Sequence, residues 1–89
     1  TGPYPLRATI RLPIPLDQAL RLIPSTVGTH RAEGPDTTIV EVGGPTPEGL
    51  ATYLLGLGTP LHVLAPDSVR DALVRHARQL AEDNTVVES

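Results

Sequence analysis

Three histidines are the side chains of this sequence best suited to hold a metal ion. His30, His62 and His76 fall on different predicted elements, and neither an H-x-x-x-H nor an H-E-x-x-H spacing occurs among them. The sequence has no cysteine, which removes thiolate metal sites, disulfide bonds and a cysteine nucleophile. We therefore expect no metal centre and no cofactor, and a cytoplasmic location is the default.

Catalytic motifs are also missing from the sequence. The serines Ser25, Ser68 and Ser89 lie in no G-x-S-x-G turn and have no evident base partner. The glycine pairs at 43–44 and 56–58 lack the three-glycine spacing of a dinucleotide fingerprint and are typical of turns and helix caps. The sequence thus predicts a protein that is not an enzyme.

The charge pattern bears on macromolecular partners. All seven positive side chains are scattered arginines, and ten acids outnumber them to give a formal net charge of −3. Duplex DNA requires a concentrated basic patch, so we do not expect this chain to bind DNA itself. No apolar run approaches the roughly 18–20 residues of a membrane span, and no basic segment followed by an apolar core marks a signal peptide. We expect no membrane association.

Length and composition predict one small globular domain. The chain has 89 residues, of which 39% are hydrophobic, and residues 1–89 are expected to form that single domain. Phe, Trp, Met and Cys are absent, so the core must be aliphatic. The sequence begins at Thr1 without a methionine, and we expect it to be a fragment of a longer protein.

Hydrophobic periodicity predicts seven elements in the order strand, helix, strand, strand, helix, strand, helix. The predicted strands cover residues 6–12, 27–33, 37–42 and 61–65. The predicted helices begin near Leu16, Pro47 and Pro66. Thr46 is the expected N-cap of the second helix, and Gly58 is its expected left-handed C-terminal residue.

This order predicts a ferredoxin-like βαββαβ sandwich with an additional C-terminal helix. In this α/β (α+β) fold a four-stranded antiparallel sheet of spatial order 4-1-3-2 carries the two crossover helices on one face. The expected core consists of apolar residues on the inner face of the sheet and in the apolar stripes of the helices. They are Ala8, Ile10, Leu12, Leu20, Ile23, Val40, Val42, Leu50, Leu54, Leu57, Val63, Leu73 and Leu80.

The other face of the sheet carries the residues that could contact another molecule. Alternation assigns to this face Arg7, Thr9, Arg11, Thr37, Ile39, Glu41, His62 and Leu64. It is either a solvated face with Arg–Glu pairs, a subunit, domain or ligand interface, or a face partly covered by the third helix. Because Ile39 and Leu64 are apolar and arginine can pair and pack at once, we predict self-association or docking here. The predicted contact residues are Arg7, Arg11, Ile39, Glu41 and Leu64. The edge strand at 29–33 is the competing route, through sheet extension.

Short motifs in the second half of the chain resemble a known family. The motifs are Leu54-Leu55-Gly56-Leu57-Gly58 at a helix end, Val63-Leu64-Ala65-Pro66 at a strand end and Val69-Arg70-Asp71-Ala72-Leu73 at a helix start. They are similar to the LLGxG, V-L-x-P and L-R-x-x-L signatures of the C-terminal extension of WYL-domain transcription regulators, the WCX domain. The alternating arginines of the opening strand also suit this family.

The resemblance implies a bacterial transcription regulator as the parent protein. It implies an N-terminal winged-helix domain that alone binds DNA, a central WYL domain that receives a ligand, and this chain as a non-catalytic C-terminal regulatory module. The implied partners are a second copy, in a homodimer, or the WYL domain. Arg70 matches the family's arginine and is a further candidate for an inter-domain contact, unless it is solvated or pairs with Asp67. The alternative function is a stand-alone ferredoxin-like sensor of small molecules.

Overall fold

The computed structural model describes residues 6–86, which form four strands and three helices. The strands are β1 (Leu6–Leu12), β2 (Gly28–Ala32), β3 (Thr38–Gly44) and β4 (His62–Ala65). The helices are α1 (Leu16–Leu22), α2 (Pro47–Leu55) and α3 (Asp67–Asp83). Their order along the chain confirms the order that the periodicity predicts.

The strands form one antiparallel sheet in the order β2-β3-β1-β4, which confirms the ferredoxin-like arrangement. The central strand β1 pairs with β3 along its whole length, from Leu6 opposite Gly44 to Leu12 opposite Thr38. The strands β2 and β4 are the two edges of the sheet. Gly34 allows the tight connection between β2 and β3, because its φ of 98° lies in a region that L side chains rarely adopt.

The helices and one face of the sheet enclose the hydrophobic core. Alternate residues of β1 point into it, and Ala8, Ile10 and Leu12 are fully buried. The other members of the cluster are Ala19, Ile23, Val40, Val42, Leu50, Leu54, Val63 and Val69. Since Val69 belongs to α3, this helix joins the same core as α1 and α2, and the alternative in which α3 covers the other face of the sheet is wrong.

Two residues predicted to lie in the core, Leu20 and Leu80, are exposed. Helix α1 contacts the edge strand β2, and only Ala19 and Ile23 of its apolar stripe join the core cluster. Helix α3 extends past the part of the fold that it packs against, because every residue from 77 to 86 is exposed. An apolar stripe therefore predicts which side of α3 faces inward, but not how many of its turns find a packing partner. The partly buried hydrophobic residues at the margin of the cluster are Leu6, Ile14, Leu22, Leu57, Leu61 and Leu73.

The ends of α2 follow the chemistry expected from the sequence. The backbone N–H of Gly49 donates to Oγ1 of Thr46 at 3.0 Å, which confirms Thr46 as the N-cap. Gly58 has a φ of 67° and supplies the left-handed residue after the helix. Where β3 ends, a Cβ atom at Gly44 would lie 2.7 Å from Cγ of Leu50, so glycine at this position lets α2 pack close to the sheet.

Candidate interaction surface

The three strands β2, β3 and β1 present their odd-numbered residues on the face away from the helices. Thr9 and Thr29 flank Glu41 from the two sides, and the register places arginines on both sides of Ile39 in the same way. Directly opposed residues share a face of a sheet, so these side chains form one continuous surface. We call this surface the open face; its members are Arg7, Thr9, Arg11, Thr29, Arg31, Ile39, Glu41, His62 and Ala65.

Two ion pairs cross the open face. Nη1 of Arg7 lies 2.6 Å from Oε1 of Glu41, and Nε of Arg11 lies 3.0 Å from Oε1 of Glu33. The side chains of all four residues are at least 42% exposed, so water screens both pairs and each contributes only about 0.2–1 kcal/mol to stability. These pairs can therefore be exchanged for contacts with another molecule at little cost.

Ile39 corrects one part of the sequence prediction. Its position on the open face is as predicted, but only 6% of its surface is exposed. Arg11 on β1 and Arg31 on β3's other neighbour, β2, pair with it from opposite sides. The hydrocarbon parts of long arginine side chains can cover an apolar neighbour while the charged ends remain in water. Ile39 is thus a buried residue between two arginine positions and not an exposed apolar centre of a contact.

Strand β4 differs from the simple alternation on which the prediction for Leu64 rests. His62 pairs with Arg11 and Val63 with Ile10, but the register then shifts, so that Ala65 pairs with Thr9. Leu64 is the extra residue in this bulge and is half-buried. The open face therefore contains His62 and Ala65 at this edge, and Leu64 has no register partner in β1.

Arg70 lies apart from the open face. It is in the first turn of α3 and forms an ion pair with Asp67 on the same helix. Pairing with Asp67 is one of the alternatives given for Arg70 from the sequence. A cation in the first turn of a helix is unfavourable beside the helix dipole, and the carboxylate of Asp67 offsets that effect. The contact of Arg70 with another domain stays a prediction.

The histidines do not gather into a metal site. Within residues 6–86, no three histidine or carboxylate side chains come together as a group that could hold a metal ion. His30 lies on the other side of β2 from the open face, opposite Val40, and both of its ring nitrogens are buried without a hydrogen-bond partner. Its hydrogen-bonding capacity is therefore unmet within the described part of the chain.

Besides Ala65, three residues of this surface were not assigned to it from the sequence. Thr29 and Arg31 belong to the open face, and Glu33 is the partner of Arg11. The turn at residues 34–36 could have identified the residues on or beside β2. A hairpin closed by this turn places residue 33 opposite residue 37. That register determines which face of the sheet each preceding residue of β2 occupies. The weak alternation of residues 27–33 concealed this assignment.

Comparison with known families decides the relationship of the chain. The model of the WCX domain matches residues 4–81, which include every strand, α1, α2 and most of α3. The chain belongs to the WCX domain family. WCX is a regulatory domain family and not a known enzyme family. The match agrees with the motifs at residues 54–58, 63–66 and 69–73 that suggested the family.

Two of those motifs lie at structural boundaries. Residues 54–58 contain the end of α2 and the left-handed Gly58, and residues 63–66 lead from β4 into α3 through a cis Ala65–Pro66 bond. They are thus positions where the backbone changes direction. Among residues 6–86, no helix has both the length and the apolar character that crossing a membrane requires.

Proposed function

We propose that this WCX domain is the non-catalytic C-terminal regulatory module of a WYL-type winged-helix transcription regulator, and that it contributes to dimerisation and to signalling between domains. The observation that carries the proposal is the family match over residues 4–81. Residues 1–89 are then one domain of a longer cytoplasmic regulator. DNA is bound by the N-terminal domain of that regulator, in keeping with the negative net charge and the scattered arginines of this chain.

The open face is the surface through which this module docks onto the WYL domain. Its outward groups are guanidinium and carboxylate groups, with threonine hydroxyls between them. Planar guanidinium groups can form paired hydrogen bonds to carboxylates and pack on flat surfaces at once. Because the two ion pairs are exposed and weak, a partner can replace Glu41 or Glu33 as the counter-ion of an arginine. Charge complementarity of this kind sets orientation and specificity more than affinity.

Signalling requires a contact that changes with the state of the WYL domain. In this proposal the WYL domain presents carboxylates to Arg7 and Arg11. When that domain moves, the two arginines exchange their ion pairs within this chain for ion pairs with the WYL domain. A ligand that binds the WYL domain more tightly in one of these two arrangements stabilises that arrangement. Ligand binding therefore alters the affinity between the two domains. Nothing in the part of the chain that the structure describes favours the alternative of a stand-alone sensor.

Charge reversal on the open face tests the docking proposal. The chain carrying both Arg7→Glu and Arg11→Glu is titrated calorimetrically against the separately produced WYL domain of the same polypeptide. We expect affinity to fall about tenfold or more relative to the unmodified chain, because like charges then oppose each other. The matched control is Arg78→Glu, an exposed arginine on the projecting part of α3, which should leave affinity unchanged. Equal affinity of the double variant and the unmodified chain, at unchanged melting temperature, contradicts docking through this face.

A further inference from the structure

The two edges of the sheet are built differently. Strand β4 is short, contains a bulge, lies between Pro60 and Pro66 and is contacted by α3. Bulges, prolines and covering helices are the usual means by which proteins prevent an edge strand from pairing with another chain. Strand β2 is also contacted by a helix, α1, but its register with β3 is regular, and it contains neither proline nor lysine. β2 is the less protected edge.

The hairpin bond identifies which backbone groups of β2 are free. The N–H of Glu33 donates to the carbonyl oxygen of Thr37 at 2.8 Å. Hydrogen bonds alternate along an antiparallel pair, so Arg31 and Thr29 also bond to β3, while Gly28, His30 and Ala32 direct their backbone groups outward. The N–H of Gly28 is already taken by the carbonyl of Pro24 at 3.1 Å.

The arrangement of free groups suits a second copy of the same strand. We propose that two copies of this chain pair antiparallel through β2, across a two-fold axis at His30. In this register His30 exchanges both backbone hydrogen bonds with His30 of the second copy. Each Ala32 N–H then donates to the Gly28 carbonyl of the other copy, so the occupied N–H of Gly28 is not required. The pairing joins two four-stranded sheets into one sheet of eight strands.

The side chains on both faces of β2 agree with this register. On the helix side, Leu16 and Leu20 line a depression with His30 and are 36% and 39% exposed. Pairing brings the two α1 helices together over this depression, which gives the leucines apolar neighbours. It also brings the two His30 rings side by side, and each neutral imidazole has one donor and one acceptor for the other.

On the open side, the same register places Arg31 of one copy opposite Thr29 of the other. Arg31 forms no ion pair among the residues that the structure describes. A two-fold axis at Arg31 instead of His30 would set the two Arg31 side chains directly opposite each other, and like charges in that position are destabilising. The charge of Arg31 therefore favours the axis at His30 over an axis at Arg31. This contact deepens the dimerisation part of the proposed function and leaves the open face available for a WYL domain.

Substitutions at Thr29 test the register by the sign of their effects. Thr29→Glu places a carboxylate opposite Arg31 of the second copy at two symmetric positions, and Thr29→Arg places like charges there. We expect sedimentation equilibrium to show a dimer of the unmodified chain, tightened about three- to tenfold by Thr29→Glu and weakened by a similar factor by Thr29→Arg. Within one copy the neighbour of Thr29 is Glu41. If the substitutions acted only within the monomer, Thr29→Arg would therefore stabilise the chain and Thr29→Glu would destabilise it. The opposite order of dimer affinity overturns the proposal.

A second variant tests the backbone pairing. His30→Pro removes an N–H that points away from β3, and proline is tolerated at such a position of an edge strand. We expect this chain to be monomeric while its circular dichroism spectrum stays that of the folded protein. A monomeric unmodified chain at every concentration up to the millimolar range overturns the proposal, as does a dimer that the Thr29 variants leave unchanged. Calorimetric binding to the WYL domain, measured on the same samples, separates that failure from a failure of the proposed function.

Discussion

The two faces of this sheet are made by the same strands and differ in almost every physical property. On the helix side, Ala8, Ile10 and Leu12 of β1 are fully buried in an aliphatic cluster. On the other side of the same strand, Arg7 is exposed, Arg11 is half-buried, and both pair with carboxylates. Adjacent residues of one strand therefore have different roles: one stabilises the fold, and the next is free to contact a partner.

The comparison shows where change is tolerated in this small domain. Burial of apolar surface stabilises the covered face, whereas the open face contains only weak, water-screened pairs. Substitutions on the covered face should therefore alter the free energy of unfolding, and substitutions on the open face should alter binding.

Truncation of a core side chain should give the largest effect. Leu54 of α2 is 1% exposed within the core cluster, so Leu54→Ala should lower the free energy of unfolding by about 2–5 kcal/mol through lost burial and a residual cavity. That is a large part of the roughly 4–13 kcal/mol expected for a domain of this size. Urea denaturation followed by circular dichroism measures the change.

Leu80→Ala is the matched control for that experiment, since Leu80 is 55% exposed on the projecting part of α3. Its effect should stay within about 0.5 kcal/mol. A larger loss for Leu80→Ala than for Leu54→Ala would mean that the core has been assigned to the wrong side of the helices.

Neighbouring threonines on opposite faces provide a smaller and sharper comparison. Thr38 is fully buried, and its Oγ1 donates to the carbonyl oxygen of Ile14 at 3.0 Å. Thr38→Val keeps the shape but leaves that carbonyl unpaired, so it should cost about 1 kcal/mol. Thr37→Val, at the adjacent half-buried position, should cost clearly less. Thermal melts of both variants at equal concentration decide, and equal losses would contradict the difference in environment.

The ion pair of Arg7 with Glu41 should give the smallest effect on stability. A double-mutant cycle with Arg7→Ala and Glu41→Ala should yield a coupling free energy of about 0.2–1 kcal/mol that diminishes as salt is added. The pair of Arg21 with Asp17, whose atoms are 3.8 Å apart, serves as a reference and should couple less strongly. A coupling that is large and independent of salt would show that the open face holds the fold together.

Much of the fold follows from the sequence because its signals are local. Alternation in β1, the cap at Thr46 and the glycine at position 58 each specify a conformation from a few neighbouring residues. Strand order then follows from the short connections of split βαβ units. The failures are of another kind: Leu20 and Leu80 are exposed because the amount of packing surface around α1 and α3 is a property of the whole molecule.

The location of the open face was predictable from the sequence, and its details were less so. Arg7, Arg11 and Glu41 follow from period-two alternation, which fixes the face of each side chain. The burial of Ile39 arises where it has register partners on two other strands, and the position of Leu64 depends on a bulge in β4. Neither feature leaves a signal within its own strand.

Mapping of backbone amide shifts tests the division between the two faces most directly. The 15N-labelled chain is titrated with the unlabelled WYL domain of the proposed parent regulator, and the shift of each amide signal is followed. The account predicts changes concentrated at Arg7, Thr9, Arg11 and Glu41, with α2 and the packed part of α3 unaffected. Changes concentrated on α2 and α3, with the open face unaltered, would contradict it.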